Sequence, residues 1–233
     1  FTHNYTFIPL ADFSQGNFTN WTGYTSVYPR NTVGANIGTR VDYYFNEGII
    51  DGRHTIITES TFDPFTCGNV TTVAPGEDVS VRLGNGGIGV WGNGVSWQRD
   101  YLEYTMSVTE ANALLIYKYA VVLQDPNSDP GIAPHDHPIK PRFIVSIKDE
   151  NDELIDPVCG VFSVTADESV EGFRNCTQGE AQAAGGQFNS NGSTIYRAWT
   201  TVGVDLRDHI GNDVTILFET WDCGLGGHFG YAY

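Results

Sequence analysis

Asp213-Val214-Thr215-Ile216-Leu217-Phe218-Glu219 alternates without a break: Val214, Ile216 and Phe218 fall on one side of an extended chain, and Thr215, Leu217 and Glu219 on the other. A period of two belongs to a strand on a half-buried sheet. Upstream, Val202-Gly203-Val204-Asp205-Leu206 alternates as well. The segment between them, Asp208 to Asp213, has room for a turn or a single helical turn, so the two runs read as a hairpin-like pair. Downstream, Asp222-Cys223-Gly224-Leu225-Gly226-Gly227-His228-Phe229-Gly230-Tyr231 reads as a glycine-rich surface loop, where the glycines permit a tight turn or a ligand pressed against bare backbone.

The same pattern extends outward. Strands are expected at residues 6–10, 40–45, 53–58, 78–83, 97–108, 114–123, 142–148, 159–165 and 195–201, separated by Gly, Pro, Asn and Asp clusters. Residues 114–123 are apolar on both faces and read as a central strand covered on both sides. Leu102, Tyr104, Met106 and Val108 alternate with Tyr101, Glu103, Thr105 and Ser107, so that strand covers one face only. With 12 Tyr, 13 Phe and 5 Trp beside a single Met, and no long run of helix formers, the fold class is all-β. The expectation is a two-sheet antiparallel β-sandwich of jelly-roll type, residues 1–233 forming a single domain, since such sandwiches reach this size as one unit.

A formal net charge of −16 argues against nucleic acid and anionic membrane as partners, while cations and neutral ligands remain compatible. No apolar run is long enough for a membrane-spanning helix. Four cysteines, none in a Cys-x-x-Cys pair, point to two disulfides and a location outside the cytoplasm. Three connectivities are open. Cys159 and Cys176 bracket a short acidic loop and are expected to pair, which leaves Cys67 for Cys223.

Chemistry-bearing residues are few. Trp91 stands among glycines in Gly84 to Gly94 and is the best aromatic platform for a sugar ring, whereas Trp21, Trp97 and Trp199 read as core. His135-Asp136-His137 reads as a proline-flanked loop and Asp149 to Glu153 as a hairpin turn. No Gly-x-Ser-x-Gly, His-Glu-x-x-His or phosphate loop is present, so no catalytic residue is assigned.

Several segments together resemble the large N-terminal domain of surface proteins exported by the bacterial type IX secretion system. They are Asn20-Trp21-Thr22-Gly23-Tyr24, Arg53-His54-Thr55-Ile56, Ser80-Val81-Arg82-Leu83-Gly84-Asn85, Tyr119 to Pro126, Pro141-Arg142-Phe143, Pro157-Val158-Cys159-Gly160, Trp199 to Gly203 and Gly226 to Tyr233. The resemblance implies an extracellular, cell-surface location and further domains beyond this one. Arg53, His54 and His228 stand in these segments, the two histidines reading equally as backbone-bonded structural residues, and with Asp222 of the glycine-rich end and Trp91 they form the candidate ligand-binding set. More broadly the chain is similar to jelly-roll modules of the carbohydrate-binding and MAM-like kind, which implies a possible structural calcium held by carboxylates. The six Asn-x-Ser/Thr sequons are read as incidental, because the resemblance is bacterial. The function expected is a non-catalytic adhesin that binds a glycan or surface ligand. The alternative is a subunit of an extracellular filament that binds other protein subunits, which unpaired strand edges would favour. A polysaccharide-degrading enzyme ranks third and would need a cleft with two suitably spaced carboxylates.

Overall fold

A computed structural model describes residues 12–27, 44–86, 98–128, 140–156, 160–167, 170–188, 190–224 and 227–233. In chain order the strands are β1 (Trp21–Val27), β2 (Tyr44–Glu47), β3 (His54–Ile57), β4 (Ser80–Leu83), β5 (Gln98–Ser107), β6 (Leu114–Gln124), β7 (Arg142–Asp149), β8 (Val161–Thr165) and β9 (Arg174–Cys176). Helix α1 (Gln178–Ala183) follows, then β10 (Thr194–Asp205), β11 (Asp213–Trp221) and β12 (Gly230–Ala232). They build two six-stranded sheets with the orders β2-β1-β5-β11-β7-β8 and β3-β4-β12-β6-β10-β9, here sheets A and B. Every described pairing is antiparallel. This is the all-β sandwich expected, with sequence-distant strands side by side as a jelly roll requires.

The alternation read in β11 is the alternation that builds the core. Val214 and Ile216 are buried with Tyr104, Phe143, Val145, Ile147, Val121 and Leu123 between the sheets, and Phe218 packs against them. Residues 202–206 and 213–219, however, do not pair as a hairpin. The first run lies in sheet B and the second in sheet A, so the turn between them is a corner joining the two layers. Residue periodicity reports which side of a strand is buried and is silent about which sheet receives it.

Two further expectations change. In β6 the half from Tyr119 onward is buried on both faces, but Leu114 and Ile116 are exposed at 62% and 49%, so only part of the strand is covered. The glycine-rich end is buried too, since His228, Phe229, Tyr231 and Ala232 are at most 3% exposed. Gly230 to Ala232 forms β12, inserted between β4 and β6 in the middle of sheet B. Close approach accounts for part of the glycine content: at Gly84, with φ +104°, a Cβ would lie 2.8 Å from Gly230 O. Asp149 accepts from the amides of Asn151 and Glu153 at 2.9 and 3.0 Å, which makes residues 149–153 the expected turn. Strand β1 and helix α1 were not foreseen. The expected strand at residues 6–10, residues 40–43, Trp91, Trp97, Cys159 and residues 135–137 lie outside the described residues.

A third layer covers the upper outer face of sheet B. Phe65 and Val70 pack with α1's Ala181 onto Ala120, Val122, Tyr196, Phe229 and Tyr231. Asp63 is buried beneath it and accepts hydrogen bonds from the Tyr231 and Tyr233 hydroxyls at 2.7 and 2.8 Å and from the Phe65 amide at 2.7 Å. Desolvation raises its carboxyl pKa despite those donors. Helix α1 starts with a capping box in which Thr177 and Glu180 exchange side-chain-to-backbone bonds.

That layer is stitched by Cys67–Cys176, with Cα atoms 5.7 Å apart. The bridge overturns both expected pairings, Cys159 with Cys176 and Cys67 with Cys223, because each shares one of its cysteines. The reason is topological. Cys67 ends a short helical turn over sheet B, where β9 also lies, while Cys223 is buried in the β11–β12 connection, where its amide bonds the His228 carbonyl. Disulfide mapping by mass spectrometry is expected to find a Cys67–Cys176 peptide. Cys67→Ser is expected to lower unfolding free energy by about 3 kcal/mol in urea, because the bridge closes a long loop.

Candidate functional site at the Asp222 end of the sandwich

The residues with unusual chemistry collect where β5, β7 and β11 meet the connections before β3 and after β4. Asp100 sits in β5 on the side shared by Leu102 and Tyr104, so its carboxylate points between the sheets rather than to solvent. Arg53, just before β3, reaches it from sheet B with Nη2 2.5 Å from Oδ1. Asp222, directly after β11, accepts from Gly230 N–H at 3.0 Å through Oδ1 and from Asn85 Nδ2 at 2.9 Å through Oδ2. Asn85 Nδ2 also contacts Gln98 Oε1 at 3.1 Å.

Removal of these carboxylates from water disfavours their charged forms. Desolvation raises Asp100 to about 6, against the attraction of Arg53. Desolvation and, to a smaller degree, repulsion from Asp100 raise Asp222 to about 7, although Gly230, Arg53 and Asn85 favour the anion. Asp222 as a residue keeps partial exposure, but its carboxyl group is packed around by these partners. Two acids thus share one guanidinium. Asn85 Oδ1 and Arg53 Nε are buried there without hydrogen-bond partners among the described residues.

The opposite side of the same strand ends carries a second arrangement. Trp221, Arg99 and Arg142 occupy adjacent register positions on the outer face of sheet A. The Arg99 guanidinium lies 3.8 Å from the Trp221 ring centroid and that of Arg142 4.6 Å from it. Arg99 also pairs with Glu219 at 3.0 Å, and Glu219 accepts from Trp221 Nε1. Both guanidinium groups make cation–π contacts with Trp221 and that of Arg99 has a paired carboxylate, inside a largely buried cluster.

Of the expected set, Arg53 and Asp222 converge here. His54 lies beside them but serves the backbone: Nδ1 accepts from Ile50 N–H at 3.1 Å, so Nε2 carries the proton and donates to Tyr101 C=O at 2.8 Å. Burial lowers its pKa and keeps it neutral. His228 is buried in the β11–β12 connection. Asp100 and Asn85 were missed as site residues. Asp100 had a visible signal, a lone carboxylate on the apolar side of an alternating strand, whereas the position of Asn85 depends on the fold. Among the described residues no group of three or more His, Cys, Asp or Glu is placed to hold a metal ion. In this cluster the positive charge is a guanidinium.

No protein-family model matches the sequence, and no curated protein is significantly similar to it. Among solved structures the chain is similar to the carbohydrate-binding module TmCBM61 in complex with beta-1,4-galactotriose, with a TM-score of 0.40, 8% identity, and coverage of 99% of this chain and 94% of that one. It is also similar to the enzymatically active domain of bacteriophage CBA120 tailspike protein 4, with a TM-score of 0.37, 8% identity, and coverage of 96% of this chain and 20% of that one. At such values neither likeness transfers a ligand or an activity.

The raised acids make a directional prediction. A carboxyl with a folded pKa above its unfolded one contributes stability that is complete below the unfolded value near pH 4 and is lost as pH rises through the folded value. For Asp100 and Asp222 that loss runs from about pH 4 to pH 7. Asp222→Asn mimics the protonated acid, and its amide can donate to the unpartnered Asn85 Oδ1 once that group turns. The variant is expected to be more stable than the parent at pH 8 by about 2 kcal/mol, with the gap closing at pH 5, by thermal unfolding at the two pH values. An equal effect at both would show Asp222 to be an ordinary carboxylate.

Proposed function

We propose that this chain is a non-catalytic, extracellular domain that binds a neutral glycan at the Asp222 end of the sandwich. The observation that supports the reading is the Arg53–Asp100–Asn85–Asp222 cluster, in which a guanidinium, two carboxyl groups and an amide converge from both sheets, with Asn85 Oδ1 and Arg53 Nε lacking a hydrogen-bond partner among the described residues. Neighbouring hydroxyls on a sugar each need one donor and one acceptor, and these buried groups would supply both to a ligand that parts the residues covering them. The net charge of −16 favours a neutral ligand over an anionic one. Trp91 is the aromatic partner proposed from its setting in the sequence. Location at a cell surface and a structural calcium belong to the same proposal, the second tested by running the assay with calcium and again with chelator.

The test is a glycan-array screen of the purified domain beside Arg53→Gln, Asn85→Ala and Trp91→Ala. Specific binding that falls at least tenfold with Asn85→Ala in a folded variant is expected. Retained binding in all three variants would remove the cluster from the site, and silence across the array would remove the glycan. A second reading, a domain that binds other protein chains, is favoured by one observation, the exposed Leu114 and Ile116 on one face of β6.

A further inference from the structure

Lys140, Asp125 and Asp167 meet where strands of the two sheets end. Asp125 directly follows β6 of sheet B, Lys140 leads into β7 of sheet A, and Asp167 follows β8, the neighbour of β7. Backbone bonds fix all three approaches. Asp125 N–H donates to Ser193 C=O at 2.8 Å, Asp125 C=O accepts from the Ser128 hydroxyl at 2.7 Å, and Ala166 N–H donates to Pro141 C=O at 2.8 Å.

Lys140 Nζ lies 3.6 Å from Asp125 Oδ1 and 3.8 Å from Asp167 Oδ2. The side chains of Lys140 and Asp125 keep 6% and 3% of their surface, whereas that of Asp167 is half exposed. Among the described residues Lys140 and Asp125 are thus the driest ion pair, and with Lys140–Asp167 they are also the least closed. Arg53–Asp100, Arg99–Glu219 and Lys148–Asp152 all close to 3.0 Å or less, within reach of a charge-assisted hydrogen bond. Asp125 Oδ1 instead accepts from Asn127 N–H at 3.0 Å.

A buried ammonium held off its carboxylate recovers little attraction in exchange for the water it has lost. Passing one proton from nitrogen to oxygen removes both charges and leaves an amine facing a carboxylic acid. These are the two halves of an amide, and groups held together in this way react with effective molarities on the order of 10⁵ M or more.

We propose that Lys140 and Asp125 join in an intramolecular isopeptide bond formed by the folded chain itself. After the proton transfer, the Nζ lone pair adds to Asp125 Cγ, and Asn127 N–H stabilises the charge that develops on Oδ1. The bond from Cγ to the acid's hydroxyl then breaks, and the hydroxyl leaves as water with one of the two amine protons. The other proton stays on the amide nitrogen, and no oxidant or cofactor enters. Asp167, placed between Nζ and solvent, relays the departing proton to the hydroxyl. The product closes residues 125–140 into a covalent ring that ties the end of β6 to the start of β7, and so sheet B to sheet A. The bond is independent of what the Asp222 cluster binds.

The test is the mass of the full chain, denatured and with its disulfide reduced. A value about 18 Da below that of the sequence, one water, is expected. Trypsin cuts after Lys118 and Arg142 but not between Lys140 and Pro141, so residues 119–142 form one peptide that holds both partners. That peptide is expected to carry the whole mass loss and to give no fragments from single cleavages between residues 125 and 140. Lys140→Arg keeps the same peptide and is expected to restore the full mass. Asp167→Asn is expected to slow the loss at least tenfold in freshly synthesised protein. Should Lys140→Arg not fold, the fragments of the parent peptide decide alone. A parent of full mass, single-cleavage fragments from within the ring, or a loss that persists in Lys140→Arg, as a cyclic imide elsewhere would give, would overturn the proposal. An undiminished rate in Asp167→Asn would overturn Asp167 as the relay.

Discussion

Four consecutive residues of β6, Ala120 to Leu123, have no exposure at all, and most of the fold follows from keeping both of their faces dry. One face, Val121 and Leu123, meets sheet A in the inter-sheet core. The other, Ala120 and Val122, would face water in a simple two-layer sandwich and is instead roofed by the Phe65, Val70 and Ala181 layer. A lone loop would have difficulty holding that roof against its own entropy. The Cys67–Cys176 bridge, the α1 cap and the two tyrosine hydroxyls on Asp63 tie it to sheet B at separate points.

The same layering sets the two ends of the sandwich apart. Where strands end beneath converging connections, charged groups from both sheets are forced together without water, which raises the acids Asp100 and Asp222. Where the roof stops, near Lys118, β6 emerges with Leu114 and Ile116 exposed on its outer face. One end of the sandwich thus concentrates buried charge, and the other exposes apolar side chains.

Periodicity made the sheets legible because a strand's burial is a local property. Val214, Ile216 and Phe218 announced their common face, and the expected strands at 53–58, 78–83, 97–108 and 142–148 coincide with β3, β4, β5 and β7 to within two residues. What a period of two cannot carry is the identity of the neighbour. The corner between β10 and β11 therefore read as a hairpin, and a buried β12 rich in glycine read as a surface loop. The disulfide failed for the same reason, since Cys67 and Cys176 are 109 residues apart and only the roof brings them together. In the candidate site, Arg53 and Asn85 stand in segments that carried the family resemblance and Asp222 in the glycine-rich end, but that Asn85 meets Asp222 became visible only once β4 and β12 were placed side by side.

The placement of β12 also bears on how the molecule assembles. Its partners Leu83 and Val121 precede it in the chain by more than a hundred residues, so sheet B stays split into two fragments until a distant three-residue segment arrives. Long-range pairing of this kind is slow, because the closure of a large loop must precede any contact that rewards it. Throughout that interval the two fragments carry open hydrogen-bonding rims of the sort that recruit foreign strands. Any state in which β12 has not yet docked therefore exposes both rims at once, and docking of this short wedge is the step that closes sheet B.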